Sequence, residues 1–194
     1  MREKGDCMKK LVVLFGVVLT VALSLGVPAS AQQRQSYRAF AVSMPTGAAG
    51  QVDIVFERWS SEAERESLTA AFNEKGQDGL LSALQKVKPR VGYYRTPNSI
   101  GIDIRFAKEI PGEDGGRRII FLTDRRISFA EAKNRPRTID YPFTMVEMRF
   151  DKNGVGEGRA SVMTMITYNK KTKQIELENY SSDPVRLTRI EAVK

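Results

Sequence analysis

The chain has no histidine, and its single cysteine is Cys7. The usual zinc sites, thiol nucleophiles and serine–histidine–aspartate triads therefore lack their residues. What remains for chemistry is carboxylates, tyrosine, or serine paired with lysine. The carboxylates available to a hydrolase are Asp103, Asp124, Glu131 and Asp140. A glycosidase needs two of them about 5 to 9 Å apart across a sugar, and nothing in their spacing separates them from solvated charges. A calcium site needs several acids in one short loop, and Glu113 and Asp114 between glycines are too few. The sequence thus assigns no catalytic residue, no metal and no cofactor, and leans away from an enzyme.

Binding residues are easier to nominate. Tyr93, Tyr94, Arg95 and Asn98 fall in one short segment that reads as a loop, combining aromatic faces, a cation and an amide. Such groups suit a sugar or a carboxylate, while the plainer reading is two tyrosines half-buried at a strand end. Arg117, Arg118, Arg125, Arg126, Arg135 and Arg137 bracket a strand and a loop, and an anion patch there would centre on Arg125 and Arg126. The run Gly154-Val155-Gly156-Glu157-Gly158 invites a phosphate-loop reading, but a phosphate loop opens a helix, and here a strand follows. Gly154, Gly156, Gly158 and Ala160 instead leave a bare strip on one strand face, where a ring, a helix or a bend fits.

The elements that must position these residues are mostly strands. Pro142 to Phe150, Gly156 to Tyr168 and Ile175 to Glu178 alternate with period two and are joined by polar turns, the first carrying Asn153-Gly154. Tyr37 to Ser43, Val52 to Arg58, Arg90 to Tyr94, Ile100 to Lys108, Arg118 to Thr123 and Val185 to Ala192 read as further strands. In the strand Ile100 to Lys108, Ile100, Ile102, Ile104 and Phe106 are expected on one face, opposite Ala107. Ser61 with Glu64 forms a capping box for a helix that Gly76 stops, and Asp78 caps a second helix, with Leu80, Leu81, Leu84 and Val87 inward, that Pro89 ends. Ser128 with Glu131 could cap one further short turn. Asn179-Tyr180-Ser181 matches a glycosylation sequon, but Asn179 continues the Ile175 and Leu177 face. The expected fold is α+β: a mostly antiparallel sheet of about eight strands, as a sandwich or open barrel, with a two-helix insertion after the second strand.

Residues 1–31 have the pattern of an export signal. Lys9 and Lys10 precede an apolar run from Leu11 to Leu25, Pro28 breaks it, and Ala29-Ser30-Ala31 offers a cleavage site. The run is shorter than a membrane span requires, Met8 is a sufficient start, and Cys7 precedes the run, so it is no lipidation site. Residues 32–194 then form one domain, periplasmic or extracellular, that meets the membrane only during export. Setting aside Arg2, Lys4, Lys9, Lys10, Glu3 and Asp6 from 31 basic and 23 acidic residues leaves a net charge of +6. That excess is spread along the chain, whereas nucleic-acid binding would concentrate it in a stripe.

The stretches Ile175-Glu176-Leu177-Glu178-Asn179-Tyr180 and Pro184-Val185-Arg186-Leu187 resemble a family of exported bacterial proteins of unassigned function, over the C-terminal half of the mature chain. The resemblance implies export and carries no site residue across. Three functional expectations follow from the residues. The first is a non-enzymatic binding or structural domain whose partner is a small molecule, glycan or protein and not a nucleic acid. The second is a carrier of an apolar ligand between the helix pair and the sheet, lined by Met145, Met148, Met163 and Met165. The third is the carboxylate hydrolase.

Overall fold

Alternation of apolar and polar residues places every second side chain of each strand on one face, and in this chain that face rolls inward. The computed structural model describes residues 34–43, 47–112, 115–125, 142–169, 174–179 and 184–193, all within the compact unit Gln32–Lys194. The strands are β1 (Gln35–Val42), β2 (Ala49–Phe56), β3 (Gly92–Arg95), β4 (Ile102–Pro111), β5 (Arg117–Thr123), β6 (Phe143–Phe150), β7 (Gly156–Asn169), β8 (Gln174–Asn179) and β9 (Val185–Val193), with helix α1 (Glu62–Lys86) between β2 and β3. The sheet runs β6-β5-β4-β3-β2-β1-β9-β7-β8, and β7 pairs back onto β6. Eight antiparallel strands therefore close a barrel, and β8 continues beyond it along the second half of β7. The expectation of a mostly antiparallel α+β fold holds. In place of a sandwich or open barrel the sheet is closed, because β9 bridges β1 and β7.

The barrel axis is occupied by rings. Phe150 lies 5.3 Å from Tyr37, Tyr37 6.0 Å from Phe56, and Phe56 5.7 Å from Phe121, so β6, β1, β2 and β5 meet in the middle. Val52, Ile54, Ile104, Ile119, Val146, Met148, Leu187 and Ile190 fill the remainder and are buried. Trp59 stacks on Phe56 at 5.0 Å. Just beyond it, Ser60 bonds Ala107 through both backbone N–H and hydroxyl, filling the gap below the short β3. Outward positions carry charge, among them Arg38, Asp53, Glu147 and Arg149, the reverse of a lipid-facing barrel.

The bare strip is part of this packing. Gly156 and Gly158 stand opposite Phe150 and Met148 on β6. A Cβ at Gly156 would meet the Phe150 ring at 2.6 Å and Ile190 at 2.7 Å, and one at Gly158 would meet the Glu147 carbonyl oxygen at 2.7 Å. Gly154, at φ 81°, forms the turn. Asp151 braces that turn by accepting from the backbone N–H groups of Asn153 and Val155.

Two expectations are corrected. The helical insertion is one element, Glu62–Lys86, whose two helical segments meet at a kink at Lys75 and Gly76, so the expected break is present but the separation into two helices is not. Lys75 and Gly76 leave helical geometry, yet the helix resumes at once, since Gly76 takes φ 61° without strain and Gly79 fits closely against the Ala71 carbonyl. The capping box at Ser61 and Glu64 is present as expected. Leu68, Phe72, Leu80 and Leu84 pack on Phe143, Ile166, Phe106 and Leu122, outside the barrel. Second, a bulge between Ile104 and Phe106 reverses the alternation in β4, so that Ala107 is buried in the barrel core and Phe106 turns to the helix. Ile100 lies in the preceding turn and is exposed. The possible turn at Ser128 and Glu131 lies outside the described residues.

Candidate functional surface

Alternation along β3 separates the two tyrosines nominated as a pair. Tyr94 points into the barrel and is 2% exposed, and burial pushes its hydroxyl pKa well above the ordinary tyrosine value. Tyr93 faces outward. Arg90 and Arg95 lie over its ring at 5.0 and 5.6 Å, and its hydroxyl accepts from Arg34 at 3.0 Å. A sugar seeking the Tyr93 ring would have to displace a guanidinium. Asn98 sits exposed in the turn that Ser99 closes onto Thr96. Of the segment, then, only Tyr93 and Arg95 share a surface contact.

Around Tyr93 runs a belt of ion pairs over β1 to β5. Asp53 links Arg38 at 3.3 Å to Arg95 at 3.5 Å. Arg90 reaches Glu57 at 2.8 Å and Asp103 at 3.3 Å. The hydrogen bonds from Arg90 hold the Glu57 carboxyl below the usual range, and burial only partly opposes them. Arg105 then joins Asp103 at 3.3 Å to Asp124 at 3.2 Å. Exposed Arg125 lies 3.9 Å from Asp124. Arg126, Glu131, Arg135, Arg137 and Asp140 fall outside the described residues.

The expected arginine patch does not form from Arg117 and Arg118, because neighbours on β5 face opposite ways. Arg117 caps one barrel end over the Phe150 ring at 4.9 Å, donating to the Tyr37 hydroxyl and pairing with Glu109. Arg118 lies outside and pairs with Glu147 at 3.4 Å. The four methionines do not line one pocket either. Met148 is in the barrel core and Met145 is half-buried on the opposite face of β6, while the side chains of Met163 and Met165 lie outside the described set.

A different surface emerges on the outer faces of β6, β7 and β9. A depression of about 290 Å³ there is lined by Glu147, Arg149, Glu157, Arg159, Arg186 and Thr188. Sequence reading missed these residues. Their outward positions follow from alternation, but their adjacency depends on the β7–β9 register. Among the described residues no cluster of acidic residues and cysteine could hold a metal ion. No protein-family model, curated protein or solved structure matches the chain.

Proposed function

We propose that the chain is an exported, non-enzymatic binding domain that works through the charged outer wall of a filled barrel. The observation that carries this reading is the ring stack Phe150–Tyr37–Phe56–Phe121, which occupies the axis where a barrel-type carrier would hold its ligand. The leader pattern of residues 1–31 supports export to the periplasm or beyond. The hydrolase reading is weakened because Asp103 and Asp124 are both tied to Arg105. The carrier reading is weakened because Met145 and Met148 face opposite ways. A glycan is a poor fit at Tyr93, whose ring lies under two guanidinium groups, so an anionic small molecule or a protein is the favoured partner.

The test is to express the full chain in a bacterium, recover it after export and combine native mass spectrometry with glycoside and ester panels. The expected result is cleavage after Ala31, the bare mass of the processed chain and no turnover. A co-purifying apolar ligand that lacks a phosphate group would overturn the reading, as would turnover abolished by Asp103→Asn or Asp124→Asn.

A further inference from the structure

On most of the barrel wall the arginines have carboxylate partners: Arg38, Arg58, Arg90, Arg95, Arg105 and Arg117 each pair with one. The outer faces of β7 and β9 differ. Arg159 stands directly across from Arg186, and like charges in that relation repel. The residue across from Arg159 on its other side is Glu147. That carboxylate is already engaged, by Arg149 at 3.0 and 3.2 Å and by Arg118 at 3.4 Å. Among the described residues neither Arg159 nor Arg186 makes an ion pair or a side-chain hydrogen bond.

The backbone beside this pair is also irregular. β9 carries one more residue than β7 between Leu187 and Ile190, and one more than β1 between Thr188 and Glu191, a bulge against both neighbours. Within it Arg189 has φ 50°, the one positive φ on a non-glycine side chain among the described residues. Bulges bend a strand and re-aim its side chains, and non-glycine residues in this region cluster at working sites. The bend adjoins the depression that holds Arg159 and Arg186.

We infer that Arg159 and Arg186 together bind a tetrahedral oxyanion, phosphate or a phosphate ester, in the depression on the outer faces of β6, β7 and β9. Guanidinium groups present planar pairs of N–H donors that match phosphate oxygens, and two of them on adjacent strands supply both charge and donors. The Thr188 hydroxyl is spent on the Phe40 carbonyl at 3.3 Å, so the donors are the two guanidiniums. Glu157, across from Arg149, sets a negative charge on one side and confines the anion to the Arg159–Arg186 side. The site deepens the binding role proposed above and rests on it.

The full chain, processed on export, is titrated calorimetrically with inorganic phosphate and sedimented with phosphatidylcholine vesicles that contain or lack phosphatidylglycerol. Phosphate should bind saturably, and Arg159→Gln/Arg186→Gln should weaken it at least tenfold, whereas Lys75→Gln on α1 should not. Arg186→Glu should lose phosphate yet melt higher than the parent, because it gives Arg159 a partner and faces only Val42 on its other side; this separates loss of the site from loss of the fold. Vesicle binding that needs phosphatidylglycerol and both arginines identifies the phosphate as a lipid headgroup, and phosphate binding without it identifies a free ester. Binding of neither probe overturns the site, as does binding unchanged in the folded double variant, or binding of a polyglutamate peptide alone. If turnover and a co-purified apolar ligand without phosphate are also absent, the non-enzymatic reading survives and only the site falls.

Discussion

Gly156 of β7 faces Phe150 of β6, and the edge of the Phe150 ring lies 2.6 Å from the point where a Cβ of residue 156 would be. The ring that caps the barrel axis thus depends on a missing side chain. Gly156→Ala should destabilise by about 1 to 3 kcal/mol, the usual cost of overpacking a core. Gly158→Ala should cost at least as much, because its clash is with the Glu147 carbonyl on the β6 backbone, which has little freedom to move. Urea midpoints at constant slope measure both, and unchanged midpoints would remove the packing account of the strip.

Tyr94 makes stability fall in alkali. Its folded pKa is raised by burial above 10.0. Its contribution is therefore complete below pH 10 and is lost as pH rises, because the unfolded chain releases a proton that the native state keeps. One such group gives a slope of up to about 1.4 kcal/mol per pH unit. Tyr94→Phe should flatten that limb between pH 10 and 11 in chemical denaturation. Tyr37, also raised by burial, leaves a smaller slope in the variant.

Arg105 joins two strands' worth of charge. Its side chain is 15% exposed and that of Asp124 only 7%, and Asp124 Oδ1 has no hydrogen-bond donor among the described residues. Arg105→Ala would leave that carboxylate only the exposed Arg125 at 3.9 Å and should cost up to about 3 kcal/mol. The double change Arg105→Ala/Asp124→Ala should cost less than the sum of the two single ones. Strict additivity in a double-mutant cycle would show that the pair is not coupled.

The start of α1 should report acid. Hydrogen bonds from Arg58, then the Ser61 backbone, hold the Glu64 carboxyl below its ordinary 4.5. The stability it adds is present above pH 4.5 and is lost as pH falls toward the depressed value. Glu64→Gln should therefore flatten the acid limb of a thermal melt series below pH 4.5. Ser61→Ala should cost about 1 kcal/mol at neutral pH through the lost cap.

Much of this architecture is legible in sequence, for reasons that are local. Thr144, Val146, Met148 and Phe150 alternate with Met145, Glu147 and Arg149, and the capping box at Ser61 needs only four consecutive residues. What fails is whatever one inserted residue or a distant register decides. The bulge after Ile104 moves Phe106 to the helix side and Ala107 to the core, and no pattern count anticipates it. Lys75 and Gly76 look like a helix stop, but the glycine absorbs the kink and the helix continues. Tyr93 and Tyr94 look like one site because they are adjacent in sequence, although neighbours on a strand face opposite ways; the alternation that separates them is present in the sequence. Arg159 and Arg186 stand 27 positions apart in number, and only the β7–β9 register makes them neighbours.

Closure of the barrel by β1 against β9 has a kinetic meaning. The first and last described strands are hydrogen-bonded partners, so the ring cannot shut while the final strand is still being made. Until then β1 and β7 each keep an open edge, and contacts this distant in sequence form slowly. A chain built this way commits to its native barrel only once its last strand is available.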